Sequence, residues 1–441
     1  MKVIPTGIKN LDEVIGGGFL KGSMILVAGN PGSGKTTFAA QFIYEGLRRG
    51  ESCLYVSFLE DEAEFGRHFS CLGMDFKMYS EKGLFKYLWF PPSRTSLKLV
   101  TDTILREVTE KNVQRFVLDS TTAIPYGKTK EEARAFITNL VNLGLRPQAT
   151  TSIFIAELPY GQKIIGSGFE EFVADAVFVL SLERYKHLSR RMLEIRKIRW
   201  TNIPVSDFEF IIGERGIQIY LPYYTGLKGV FNPERRLKTG VKGLDEMLGG
   251  GVPEGAMVQL IGPTGSGKSV FAGVFSAHTA RNGSDVLYIS FEEPVEQVRY
   301  IMKNLGASDD ELKRIDILSI NPWAFSPGTF YAIVESQIKK KYKLIVMDGL
   351  GALKKAVREE GFTQLIRSII SLLKLNKITA LFTGVGEEIP SISTLFDIVL
   401  LLEVKRGDEL ETYIQVLKAR GIDHDRKKRR FIISRDEVIV R

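Results

Sequence analysis

Short apolar runs alternate along this chain with segments whose apolar residues recur at helical spacing. Met24 to Ala28 and Met257 to Ile261 read as buried strands. Each is followed by a glycine-rich loop and then by apolar residues on one helical face: Phe38, Ala39, Phe42 and Ile43 in the first case, Phe271, Ala272 and Phe275 in the second. Leu54 to Glu60 and Val286 to Glu293 read as strands ending in acidic residues, and Phe116 to Asp119 and Leu344 to Asp348 as apolar strands ending in aspartate. Strands alternating with helices predict an α/β fold with mostly parallel sheets covered on both faces. Val177 to Leu182 with Met192 to Ile198, and Ile398 to Val404 with Tyr413 to Lys418, read as antiparallel hairpins appended to those sheets.

The pattern occurs twice because the chain is an internal repeat. Thr6-Gly7-Ile8-Lys9-Asn10-Leu11-Asp12-Glu13 aligns with Thr239-Gly240-Val241-Lys242-Gly243-Leu244-Asp245-Glu246, and the match runs without gaps through both glycine-rich loops. Roughly half the positions are identical there, so a whole domain is duplicated. Two domains are expected, 1–227 and 228–441. Leu221 to Leu237, with Pro222, Gly226, Gly229 and Pro233, reads as the linker.

Composition changes this picture little. A chain of 441 residues is too long for one core and suits two domains. The hydrophobic fraction of 44% and charged fraction of 25% are ordinary for a globular protein. No apolar run is long enough for a membrane span, and Met1-Lys2-Val3-Ile4-Pro5 has no apolar signal core, so a cytoplasmic protein without membrane contact is expected. Cys53 and Cys71 cannot build a disulfide framework and read as packed thiols. The net charge of +8 includes one dense run, Arg426-Lys427-Lys428-Arg429-Arg430, which suits nucleic acid, nucleotide polyanions or a solvated face.

The two loops carry the chemistry. Gly29-Asn30-Pro31-Gly32-Ser33-Gly34-Lys35-Thr36, continued by Thr37, and Gly262-Pro263-Thr264-Gly265-Ser266-Gly267-Lys268-Ser269, continued by Val270, fit a nucleoside-triphosphate site between a strand and a helix. Glycines let successive N–H groups turn around a polyanion at the positive end of a helix dipole. Lys35 and Lys268 would reach the β- and γ-phosphates of ATP, and the hydroxyls of Thr36 and Ser269 would ligate Mg2+. Asp119 and Asp348, at strand ends, would hold the same Mg2+ directly or through water; the plain alternative is an aspartate starting a turn.

Hydrolysis needs a carboxylate to orient water. Glu292 and Glu293 fit that need in the second half; the first half reads Leu59-Glu60 and keeps one carboxylate. Glutamates are also common at solvated strand ends. Lys197 and Arg199, and Lys418 and Arg420, recur as a Lys-x-Arg element carried by each hairpin's second strand. They are either exposed strand charges or cationic fingers that stabilise a γ-phosphate across a subunit boundary.

These residues resemble the KaiC-like ATPases, the double-domain branch of the RecA superfamily. The likeness rests on Gly243 to Gly251, both P-loops, Phe291-Glu292-Glu293, the strand-end aspartates, Lys197-x-Arg199, Lys418-x-Arg420-Gly421 and Asp423-His424-Asp425. The resemblance implies two tandem RecA-like P-loop domains, ATP with Mg2+, slow hydrolysis, and a homohexamer of stacked rings with ATP between neighbouring subunits. The family's clock proteins phosphorylate themselves at an adjacent Ser-Thr pair, which the resemblance places on Ser393 and Thr394, with Glu292 as base. Three departures stand out: Leu59 replaces the first glutamate of domain one, Glu388 stands where a threonine acceptor is found, and the long regulatory tail is not expected beyond Arg441. Clock function is therefore not implied. The leading expectation is a nucleotide-driven switch. The alternative is a DNA-dependent ATPase resembling RadA or DnaB, and Arg426 to Arg430 is its best support. A third reading gives domain one the task of holding ATP as glue while domain two does the chemistry.

Overall fold

The computed structural model describes every residue except 1, 92–95, 124–128, 167, 204, 222–231, 339–340, 358, 386–389, 407–409 and 435–436. It divides into two compact units, Met1–Leu221 and Pro222–Arg441. The expected boundary at 227/228 lies outside the described residues.

In the first unit a nine-stranded sheet runs, among the described residues, in the order Phe85–Trp89, Cys53–Ser57, Arg115–Asp119, Thr151–Glu157, Met24–Gly29, Ala176–Tyr185, Leu188–Ile198, Asp207–Gly213, Gly216–Ile219. The first six are parallel and the last three continue antiparallel. The second unit repeats this order with Ile315–Ser319, Val286–Ser290, Leu344–Asp348, Thr379–Gly384, Met257–Ile261, Ile398–Arg406, Leu410–Ala419, Arg429–Ile433 and Val438–Val440. Central strands covered by helices have no polar face, and every residue of Met24–Gly29 is buried.

The helix behind each glycine loop follows from its apolar face. Lys35–Arg48 buries Phe38, Phe42, Ile43 and Leu47, and the rings of Phe19 and Phe42 lie 5.6 Å apart, those of Phe38 and Phe178 5.8 Å. Burying each such ring contributes on the order of 2 kcal/mol, so this cluster fixes the helix, and with it the loop, against the sheet. Lys268–Arg281 does the same with Phe271 and Phe275. Both helices begin at a glycine in the left-handed region, Gly34 at φ 106° and Gly267 at φ 92°. A side chain there would be strained and, at Gly34, would meet Ile212 Cδ1 at 2.9 Å.

Several expectations need correction. The strands read as ending in acid stop earlier, at Ser57 and Ser290. The Ser57 hydroxyl accepts hydrogen bonds from the N–H groups of Leu59 and Glu60, and that of Ser290 from Glu293. These side-chain bonds replace the ladder and turn the acidic residues out of the sheet. The expected linker is partly structured: Asn232–Leu237 is a strand paired with Val252–Glu254, while 222–231 lie outside the described residues. Both hairpins are longer than read, and each leads into two further antiparallel strands. Cys53 is buried as expected, but Cys71 is exposed. Among the described residues no helix is long and apolar enough to cross a membrane.

Candidate functional site

In the first unit the Lys35 ammonium sits on three oxygens: the carbonyls of Gly29 at 3.0 Å and Asn30 at 2.9 Å, and Glu157 Oε2 at 3.2 Å. Thr36, the next residue, donates its hydroxyl to Asp119 Oδ2 at 3.0 Å, and the buried Tyr55 hydroxyl donates to the same oxygen at 2.8 Å. Loop, helix start and the end of Arg115–Asp119 therefore converge. Burial raises the Asp119 carboxyl above the usual range, against the hydrogen bonds from Tyr55 and Thr36. Leu59 projects outward, 63% exposed. Glu60 lies 3.2 Å from His68 Nδ1; burial raises its carboxyl and His68 opposes the rise.

The second unit places the same elements around different partners. Lys268 donates to the carbonyls of Gly262 at 3.0 Å and Pro263 at 2.7 Å. Strand register identifies the residue in Glu157's place: Ala156 pairs with Ala28 as Gly384 pairs with Ile261, so the next residue, Val385, is its counterpart. Asp348 accepts from Tyr288 at 2.6 Å and from the Thr383 hydroxyl. A cavity of about 380 Å3 is lined by the loop, Lys268, Ser269, Glu292, Glu293 and Asp348. Burial, Asp348 and Glu292 raise the Glu293 carboxyl, and its Oε2 is buried without a hydrogen-bond partner among the described residues. Burial lowers the Lys268 ammonium, while Asp348 and Glu292 oppose that shift.

Both loops hold an orphan that fits a phosphate. The Ser33 and Ser266 hydroxyls are buried and have no hydrogen-bond partner among the described residues. A buried hydroxyl without a partner costs about 1–3 kcal/mol, and a phosphate oxygen in the loop would supply one. For Mg2+ the donors would be a hydroxyl and a carboxylate at each site, Thr36 with Asp119 and Ser269 with Asp348. That set suits a P-loop ion whose other ligands come from phosphate and water. Among the described residues no group of three or more His, Cys, Asp and Glu is poised to hold a metal by itself.

Lys197, Arg199 and Lys418 are engaged by segments other than the loops. Lys418 and Arg420 are not among the residues lining the cavity around Lys268. Each pair follows a β-bulge: Lys197 pairs with Val177 but Ile195 with Phe178, leaving Arg196 as the extra residue, and Leu417 is the extra residue between Val416 and Lys418. Bulges re-aim the side chains that follow them. Lys197 donates to the carbonyls of Glu171 and Ala174, both at 2.7 Å, and Arg199 pairs with Asp175 at 3.1 Å. Lys418 donates to the Ser393 carbonyl at 3.0 Å, and the Arg420 side chain is exposed. Ser393 and Thr394 lie on a 3-10 turn, Pro390–Leu395. Glu388 lies outside the described residues. The basic run is largely paired: Lys428 with Glu403, Arg429 with Asp425 at 2.6 Å and Arg430 with Glu411 at 3.0 Å.

Sequence reasoning missed Glu157, Tyr55, Tyr288, Thr383 and His68. The two tyrosines were findable, because they occupy the same place in the repeat. Glu157 ends the apolar run Ile153-Phe154-Ile155-Ala156, as the better-recognised acids end theirs.

A parallel sheet with a glycine loop, lysine and hydroxyl at the head of a helix, and a tyrosine-held aspartate on a neighbouring strand, defines a P-loop nucleotide-binding domain of the RecA type, here in two copies. The KaiC ATPase family matches residues 4–223 and 237–441, and the chain belongs to it. Circadian clock oscillator protein KaiC of Prochlorococcus marinus subsp. pastoris is 28% identical over 98% of this chain and 89% of its own length. That of Synechococcus elongatus is 28% identical over 97% and 87%. Circadian clock protein KaiC3 of Synechocystis is 29% identical over 98% and 90%. The protein is thus an ATPase of this family.

Proposed function

We propose that the protein works as a homohexameric, Mg2+-dependent nucleotide switch. ATP would be held by Lys35 and Lys268 and completed at subunit boundaries by Lys197 with Arg199 and Lys418 with Arg420. The observation that carries this reading is the separation of Lys418 and Arg420 from the cavity around Lys268 within one domain, together with their matched presentation after a bulge in both domains. A cation needed at the transferring phosphoryl group but absent from its own site has to come from another chain. Bound Mg2+ would neutralise charge on the phosphates; the chain's own part is to hold the ion with Thr36 and Asp119 or Ser269 and Asp348, and to orient water with Glu60 or with Glu292 and Glu293. The pairing of Lys428, Arg429 and Arg430 with carboxylates weighs against the DNA-dependent alternative.

Mixing variants tests this reading. Lys268→Ala and Arg420→Ala hexamers, each impaired alone, should recover part of the ATP turnover once their subunits exchange, because an intact loop then meets an intact finger. Absence of recovery in mixtures shown by mass to be mixed rejects completion in trans.

A second reading is added by the Ser393 carbonyl, which takes the Lys418 ammonium. The turn of the candidate acceptors is thus hydrogen-bonded to a finger that would approach a neighbour's nucleotide. A hydroxyl of Ser393 or Thr394 would attack the γ-phosphorus, its proton passing to Glu292 and ADP leaving. Intact mass after incubation with Mg-ATP should show a gain of phosphate that disappears in a Ser393→Ala/Thr394→Ala variant; a gain that persists there refutes the assignment.

A further inference from the structure

Each site has three carboxylates near its loop lysine, but they are distributed differently. Domain two has Glu292, Glu293 and Asp348 lining its cavity. Domain one has Glu60 and Asp119 in the matching places, Leu59 instead of the third, and Glu157 at the end of the strand that lies between the loop strand and the Asp119 strand, where domain two has Val385. This carboxylate comes from a different strand end than Glu292 and Glu293 do in domain two. It takes the third donor of the Lys35 ammonium, at 3.2 Å.

That placement is built in. The N–H of Leu158 donates to the Gly29 carbonyl at 3.0 Å, and Asn30 Nδ2 donates to the Leu158 carbonyl at 2.8 Å, so the backbone carrying Glu157 is tied to the loop from both directions. Lys35 is 7% exposed and Glu157 36% exposed. The lysine is enclosed, whereas the glutamate has water within reach. With two carbonyls and one carboxylate, the ammonium's three hydrogens are all used. Lys268 has only the two carbonyls of its own loop and no carboxylate within ion-pair distance among the described residues.

We infer that Glu157 is an internal competitor for the terminal phosphate at Lys35, and that it lowers the affinity of site one for a nucleoside triphosphate relative to site two. A phosphate oxygen that reaches the Lys35 ammonium must displace the carboxylate and then lie beside its negative charge. A diphosphate, with no γ-phosphate, meets this cost to a smaller degree. Glu157 is a specificity-determining residue of the first site, acting through Lys35. The inference rests on the reading of the first loop as an ATP site.

Equilibrium dialysis of labelled ATP and ADP, with Mg2+, against the full-length protein tests it. In a Lys268→Ala background, where site one is observed alone, Glu157→Gln should tighten ATP binding about five- to tenfold, the size expected for losing a half-exposed ion pair and a like-charge contact. ADP should change less than about twofold by the same reasoning. In a Lys35→Ala background, Val385→Glu should weaken ATP at site two while sparing ADP, and this arm decides the matter if Glu157→Gln fails to fold. Equal shifts for ATP and ADP, or an ATP affinity that does not rise, overturn the proposal. Unchanged affinity with lost turnover would make Glu157 a base instead and also overturns it. No ATP binding to Lys268→Ala, with binding intact in Lys35→Ala, rejects the reading of site one itself and the proposal with it.

Discussion

The two domains share strand order, loop geometry and a tyrosine-held aspartate, yet the groups that decide chemistry differ at three places. Glu60 is engaged by His68, whereas Glu293 keeps a buried oxygen without a partner among the described residues. The aspartate takes its second hydrogen bond from Thr36 in one domain and from Thr383 in the other. Lys35 is ion-paired, and Lys268 is held by its loop carbonyls. Duplication preserved the scaffold, which is held by many apolar contacts, while single side chains at the rim were free to diverge. Domain one is arranged to hold charges in pairs; domain two leaves a lysine and a carboxylate available to a substrate.

The fingers offer the sharpest way to break that comparison. Arg420→Ala should cut ATP turnover by about a thousandfold at site two, as for cationic residues that act on a transferring phosphoryl group. Arg199→Ala should cost total turnover far less, and steady-state phosphate release from the two variants checks this. Equal losses would mean that the sites are catalytically alike.

Next is a difference in stability. Arg115 is fully buried, paired with Glu51 at 2.5 Å and bonded to the carbonyls of Pro5 and Phe42, both at 2.8 Å. Leu344 holds the same place in domain two. Arg115→Ala strands Glu51 and empties a site beneath the loop helix, so it should destabilise domain one by about 3–5 kcal/mol. Denaturant unfolding would then show domain one melting first, and the matching Leu344→Ala change should act on domain two through lost packing alone.

Glu293→Gln should lower turnover about a hundredfold, the usual size for loss of a positioned acid or base, while Glu60→Gln costs less. Because the Glu293 carboxyl is raised, the acid limb of the wild-type pH profile should lie above the ordinary glutamate range, and it should vanish in the variant. The same shift fixes the sign for stability. A folded-state pKa raised above the unfolded one gives a contribution that is complete below the unfolded pKa and is lost as pH rises through the folded one. Glu293→Gln should therefore be more resistant to denaturation than wild type at neutral pH. The smallest effect is expected from His68→Ala: it removes the group that opposes the rise at Glu60, so the pH midpoint of site-one turnover should move upward by less than about one unit.

What could be read in advance follows from how local each feature is. The loops, the strand-end aspartates and the repeat are contiguous patterns, so Lys35, Thr36, Asp119 and their counterparts were visible at once. Lys35 and Glu157 are 122 positions apart and meet only because two strands lie side by side in register. Arg115 lies just before the apolar run Phe116 to Leu118, and no contiguous pattern marks it; its burial depends on Pro5, Phe42 and Glu51 arriving from three other segments. The strand ends at Ser57 and Ser290 were overrun because hydropathy continues through Phe58 and Phe291, while a single hydroxyl ends the ladder.

The bulges at Arg196 and Leu417 act as parity devices. Lys197 shares the face of Val177 and Ile195 that of Phe178, although the two are separated by one residue and would otherwise lie on the same side. Deleting Arg196 would regularise the ladder and leave Lys197 opposite Val177; if Arg196 instead took a regular place in the ladder, Lys197 would turn toward the face where Phe178 packs on the loop helix. Whether one residue is bulged out or paired, without any change in the finger itself, decides which side of the sheet carries the cation.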